Sequence, residues 1–66
     1  MINRLKIERA TKNLTQDDLA RLIGVSRQTI NSVETGRYVP STVLALKISK
    51  IFEKTVNEIF ELEGSD

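Results

Sequence analysis

Two short amphipathic segments that meet at a single glycine constrain this chain more than any other feature. They run from Thr15 to Gly36, TQDDLARLIGVSRQTINSVETG. Thr15 can accept an orphan backbone N–H where a helix starts, and Asp18 is a short version of the reciprocal capping-box acid. Leu19, Ala20 and Ile23 then share one helical face. Gly24 is the expected stop, because a residue leaving a helix at positive φ is cheapest without a Cβ. Val25 is expected to point inward. Ser26 is the next N-cap, and the helix it opens carries Ile30 and Val33 inward before Thr35-Gly36 closes it. A turn of about three to four residues holds such a pair at a steep angle. Each apolar pair alone is ordinary core; the joint spacing is specific.

The outward face of the second helix carries Arg27, Gln28, Thr29, Asn31 and Ser32. A solvated face usually alternates Glu and Lys. These side chains are instead of the kinds that read base edges: Arg pairs with guanine, Gln with adenine, and Ser or Thr with either. Ser26 is followed at the capping-box position by Thr29 rather than an acid, whereas Thr15 and Thr55 are followed by Asp18 and Glu58. A carboxylate there would repel a phosphate at the positive end of the helix dipole.

Sixty-six residues make one domain, 1–66, small enough to bury only about 60% of what its unfolded chain exposes. With no cysteine there is no disulfide or thiolate site, and with no histidine the commonest general base and metal ligand is missing. The scattered Ser, Thr and carboxylates show no base-and-nucleophile spacing, so an enzyme is not expected. No metal site, cofactor or small-molecule effector is indicated. The absence of a membrane-length apolar run and of a signal-peptide pattern leads to the expectation of a cytoplasmic protein. The formal charge of +1 hides a polarity. Residues 1–52 hold nine basic and four acidic side chains, whereas 53–66 hold one basic and five acidic. That split suits a basic face for a polyanion, with the acids kept away from it.

Around the central pair, a first helix is expected from Asn3 to Lys12, with Leu5 and Ala10 inward. After Gly36, Arg37 and Tyr38 lie where phosphate contacts would position a nucleic acid without specifying its sequence. Ser41 is a further N-cap, opening a helix from about Thr42 to Phe52 with Leu44, Ile48, Ile51 and Phe52 on one stripe. Val43 and Leu46 lie off that stripe and suggest a subunit interface. Thr55 with Glu58 opens a last helix carrying Val56, Ile59 and Phe60, and Leu62 lies beyond it. Gly64-Ser65-Asp66 is expected to fray.

The run Arg9-x4-Leu14-Thr15-Gln16-x2-Leu19-Ala20-x3-Gly24-Val25-Ser26-x3-Ile30-x3-Glu34-x-Gly36-x3-Pro40-Ser41 resembles the Cro/cI-type, or XRE, helix-turn-helix family. The resemblance continues through Leu46-Lys47-Ile48 to Ile59-Phe60. It implies an all-α, five-helix, lambda-repressor-like fold whose third helix, starting at Ser26, enters the major groove. It implies base contacts at Arg27, Gln28, Thr29 and Ser32, and a Gln16 that grips a phosphate and braces the reading helix. Thr15, Ser26, Asn31 and Thr35, polar and close by, are grouped with Gln16, Arg37 and Tyr38 as phosphate contacts. Arg9 and Glu34 are implied as a structural ion pair. Short members dimerise through the last helix and the segment after it, which points to 53–66 as a dimerisation segment with Leu46, Ile59, Phe60 and Leu62 at the interface. Terminal strands, Met1 to Asn3 with Glu61 to Glu63, are a further possibility.

Two positions depart from the family pattern. Glu8 stands where an apolar residue is common, which predicts a loosely packed first helix. Thr42 stands where Leu or Val is common, which predicts a looser entry to the fourth. The expected function is a transcriptional regulator, a repressor, that binds double-stranded DNA as a homodimer on a palindromic operator. The alternative is an antitoxin or adaptor that turns the same polar face toward a protein.

Overall fold

Capping side chains start four of the five helices. The computed structural model describes residues 1–66 and orders them as β1 (Ile2–Asn3), α1 (Leu5–Thr11), α2 (Gln16–Ile23), α3 (Arg27–Glu34), α4 (Thr42–Phe52), α5 (Val56–Ile59) and β2 (Phe60–Glu61). At α2 and α5, Thr15 and Thr55 each accept an N–H from the third helical residue. Asp18 and Glu58 return the bond to the cap's own N–H, so both capping boxes are complete. Ser26 and Ser41 cap α3 and α4 alone, by accepting from Thr29 and Leu44. With Ser41 capped, α4 begins cleanly at Thr42, so the loose entry expected there does not occur.

Gly24 ends α2 at φ 87° and returns its N–H to Ala20, which turns the chain within Gly24–Ser26 and starts α3. No atom crowds the place where a Cβ would sit, so only the backbone angle demands glycine. Leu19, Ala20 and Ile23 of α2 close on Ile30 and Val33 of α3, with Leu44, Ile48 and Phe52 of α4 beneath them. Val25 is half-buried against the same cluster. Lys47 of α4 reaches across to the Ile23 carbonyl at 3.4 Å, where a cation suits the negative end of α2.

The termini form the strand pairing that the resemblance raised. Asn3, also read as the start of the first helix, lies instead in β1 and pairs with Phe60 in a two-stranded antiparallel sheet, and Ile2 pairs with Glu61. Its side chain accepts from Leu5 N–H and donates to the Val33 carbonyl at 2.9 Å, so it both starts α1 and fastens the end of α3. Within α1, Ala10 is exposed, which corrects its inward assignment, and Glu8 is buried instead. Lys54, in the turn after α4, places its Nζ 2.7 Å from Glu8 and makes that burial tolerable. Asp66 does not fray: it accepts from Glu63 N–H and from the Met1 amino group.

Ile59 requires the other correction. It has no exposed surface and belongs to the protomer's own core, so it cannot itself touch a second copy. The chain reaches it from both ends, since Arg4 N–H donates to its carbonyl and β2 begins at the next residue. Phe60 is 7% exposed and offers only an edge. Leu46 and Leu62 are open to solvent.

Candidate nucleic-acid interface

The outer face of α3 is polar because its inner face has used the apolar residues. Ile30 and Val33 are sealed in the core, which leaves Arg27, Gln28 and Asn31 exposed and Thr29 and Ser32 half-buried beside them. No acid stands in the first turn of α3. The N–H groups of its first residues therefore face outward at the positive end of the helix dipole. Ser26 is held at this end by its bonds to Thr29 N–H and to the Thr29 hydroxyl.

Gln28 divides the face into two shallow clefts. One, of about 320 Å³, is lined by Ser26, Gln28, Thr29, Ser32 and Tyr38. The other, of about 410 Å³, is lined by Gln16, Arg27, Gln28 and Asn31. The loop after α3 is drawn against the first cleft because the N–H groups of Arg37 and Tyr38 both donate to the Ser32 carbonyl. Gly36, at φ 79°, makes that reversal possible.

Behind the second cleft lies an ordered chain of hydrogen bonds. Arg9 donates from Nε to Glu34 Oε2 at 2.7 Å, from Nη2 to Oε1 at 3.2 Å, and from Nη1 to the Leu14 carbonyl at 2.9 Å. Glu34 is 4% exposed, and its bonds hold the Arg9 guanidinium charged, above its already high ordinary value. Gln16 donates both to Glu34 Oε1 and to Asn31 Oδ1, at 3.2 Å each. The pair thus fixes α1 to α3, and Gln16 fixes α2 to α3. At the start of α2, the Thr15 backbone N–H and then its hydroxyl hold the Asp18 carboxyl below the usual carboxylate range.

The residues singled out in the sequence fall into groups. Arg27, Gln28, Thr29, Asn31 and Ser32 lie together on α3, with Ser26 and Tyr38 bordering one cleft and Gln16 the other, and Arg37 in the loop bonded to Ser32. Thr15 has its oxygen engaged in the α2 cap. Thr35 donates its hydroxyl proton to the Asn31 and Ser32 carbonyls. The bonds from Gln16 to Asn31 and Glu34 had no local signal in the sequence, because the partners are fifteen and eighteen positions away. No helix is long and apolar enough to cross a membrane.

A helix-turn-helix family model matches residues 5–59, nearly the whole chain. An HTH-type transcriptional regulator of Methanocaldococcus jannaschii is 52% identical over 66 residues, the full length of both chains. The HTH-type transcriptional regulator YgzD of Bacillus subtilis is 44% identical over 63 residues, 96% of each chain. Among solved structures, the restriction-modification controller protein C.AhdI of Aeromonas hydrophila is similar at a TM-score of 0.79 and 35% identity, over 86% of each chain.

Proposed function

We propose, from the premise that this chain belongs to the XRE-type helix-turn-helix family and is a DNA-binding transcriptional regulator, that it acts as a homodimeric repressor on a palindromic operator. The observation that carries this reading is the exposed, acid-free outer face of α3, where Arg27 and Gln28 project with nothing in the protein to hold them back. In the major groove Arg27 pairs with guanine and Gln28 with adenine, while Thr29 and Ser32 contact the neighbouring bases. Ser26, Arg37 and Tyr38 at the margins meet phosphates and set the register. Gln16, its side-chain NH2 committed to Glu34 and Asn31, offers a phosphate its backbone N–H at the start of α2.

Dimer formation is supported by a mostly apolar groove between the two termini and α4. Val39, Pro40, Thr42, Leu46, Val56 and Phe60 are among the residues that line it, and Leu46 is 57% exposed. A second copy seated there by two-fold symmetry buries the same patch on both partners. Two-fold symmetry then sets half-sites about one helical turn, 34–36 Å, apart. Repression then results from occupancy, since a dimer lying across the groove excludes another protein from it.

Selection of sites from random duplex DNA, read by sequencing and footprint length, tests this. The expected outcome is a consensus with two similar inverted half-sites about one turn apart. A single half-site would remove the dimer from the reading, and no enrichment by a folded sample would remove the DNA reader.

A further inference from the structure

We infer that the Arg9–Glu34 pair sets the polarity of the amides on the DNA-facing surface, fixing Asn31 with its NH2 protons free to donate. This rests on the reading of α3 as the DNA-facing helix. The innermost group, Glu34, accepts from Arg9 at both of its carboxyl oxygens, so it presents acceptors. Gln16, 3.2 Å from Glu34 Oε1, must therefore turn its NH2 end toward it and its Oε1 away. The same NH2 has a second proton, and that proton points at Asn31. Asn31 must answer with its oxygen, because two NH2 groups would repel. Each amide has two nearly isosteric orientations, and a buried charge selects one in both.

The consequence lies at the surface. Asn31 Oδ1 accepts from Gln16, and on this exposed residue the NH2 protons are left free to donate. A free asparagine reads adenine by donating to N7 while accepting from N6. Asn31 can make that pair only by sharing its oxygen between Gln16 and the base. Its free donors suit an acceptor on the duplex: a phosphate oxygen, guanine O6 or N7, or thymine O4. The Arg9–Glu34 pair, buried and away from the surface, thereby acts as a positioning element for recognition as well as a fastening between helices.

Nuclear magnetic resonance of the free protein tests the polarity independently of DNA. Both Gln16 side-chain amide protons are expected to be shielded from solvent exchange, with those of Asn31 exchanging freely. Protected Asn31 protons beside freely exchanging Gln16 protons would overturn the inference. Binding to a selected operator and to scrambled duplex tests the donor. Asn31→Ala is expected to weaken binding by about threefold to tenfold, the worth of one hydrogen bond. An equal loss on both duplexes identifies a phosphate as the acceptor, and a loss confined to the operator identifies a base. Asn31→Asp keeps the bond from Gln16 but cannot donate, and is expected to bind more weakly than Asn31→Ala. Parental affinity in either variant would overturn the donor role. If the parent binds no duplex, the DNA reading fails, and the exchange measurement still decides the polarity.

Discussion

Glu8 and Lys54 meet at 2.7 Å across forty-six positions of sequence, joining the middle of α1 to the turn after α4. The carboxylate end is buried and the ammonium end is partly open, with side-chain exposures of 10% and 43%. Glu8 thereby occupies a core position with a charge, and Lys54 is what permits it. The two ends are not equivalent when one is removed.

Lys54→Ala leaves Glu8 buried without its partner and is expected to destabilise the fold by about 1–2 kcal/mol, reduced from a fully buried pair because Lys54 is half in solvent. Glu8→Leu removes the charge and restores apolar packing, so its cost is expected to be within about 1 kcal/mol of zero, or to be a gain. Urea unfolding of the two variants checks the order. A larger loss for Glu8→Leu would show that the pair itself, and not relief of a buried charge, is what stabilises.

Two carboxylates at helix starts contribute to acid sensitivity. The Thr15 backbone N–H lowers the Asp18 carboxyl, and the Thr55 backbone N–H lowers the Glu58 carboxyl. A carboxyl with a lower pKa folded than unfolded stabilises fully above the unfolded value, about 4. That contribution is lost as pH falls through the folded value. The melting temperature is therefore expected to hold from pH 7 to about pH 5 and to decline below about pH 4. In the double variant Asp18→Asn, Glu58→Gln, the neutral-pH value should be lower and the acid decline shallower. An unchanged acid limb would assign the decline to other carboxylates.

The range of the forces involved decides how much of this was legible in the sequence. The caps at Thr15, Ser26, Ser41 and Thr55, and the stop at Gly24, are written within four residues of where they act. All were readable. Ala10 looked apolar and inward, yet it is exposed, because the face of α1 that turns in is chosen by Lys54 and by Leu5. Asn3 read both as a helix start and, by resemblance, as part of a terminal strand, because nothing local decides between them and its partner Phe60 lies at the other end of the chain. Ile59 looked like spare apolar surface because a short last helix gives no sign of how completely the first strand covers it. The outer face of α3 was legible as a set of residue types, whereas the orientation of Asn31 depends on Gln16, Glu34 and Arg9 together.

On DNA, residues of the outer face should separate by what they touch. Arg27→Ala and Gln28→Ala are each expected to cost about 1–3 kcal/mol on the operator and to relax selectivity at one base step. Arg37→Ala, in the loop held to Ser32, is expected to weaken operator and scrambled duplex alike and to lower the salt slope by about one. Competition binding at several salt concentrations measures both. Equal losses on both duplexes for all three variants would refute the division between reading and anchoring side chains.

The dimer is best tested at Leu46, a large apolar side chain at the groove that the protomer does not itself use. Leu46 is 57% exposed and lies off the stripe of Leu44, Ile48 and Phe52 that faces the core. Leu46→Lys should therefore leave the isolated protomer folded and place a charge in the centre of a two-fold patch, where its own symmetry copy opposes it. Sedimentation is expected to show one chain in place of two. Operator affinity is expected to fall by more than about tenfold, because the second half-site no longer binds as part of one unit. Ile59→Ala would give a different result, since a cavity at a fully buried site costs about 2–5 kcal/mol and acts on folding itself. A Leu46→Lys protein that still sediments as two chains would move the interface away from this groove, and the β1–β2 edge and Leu62 would be the next surfaces to examine.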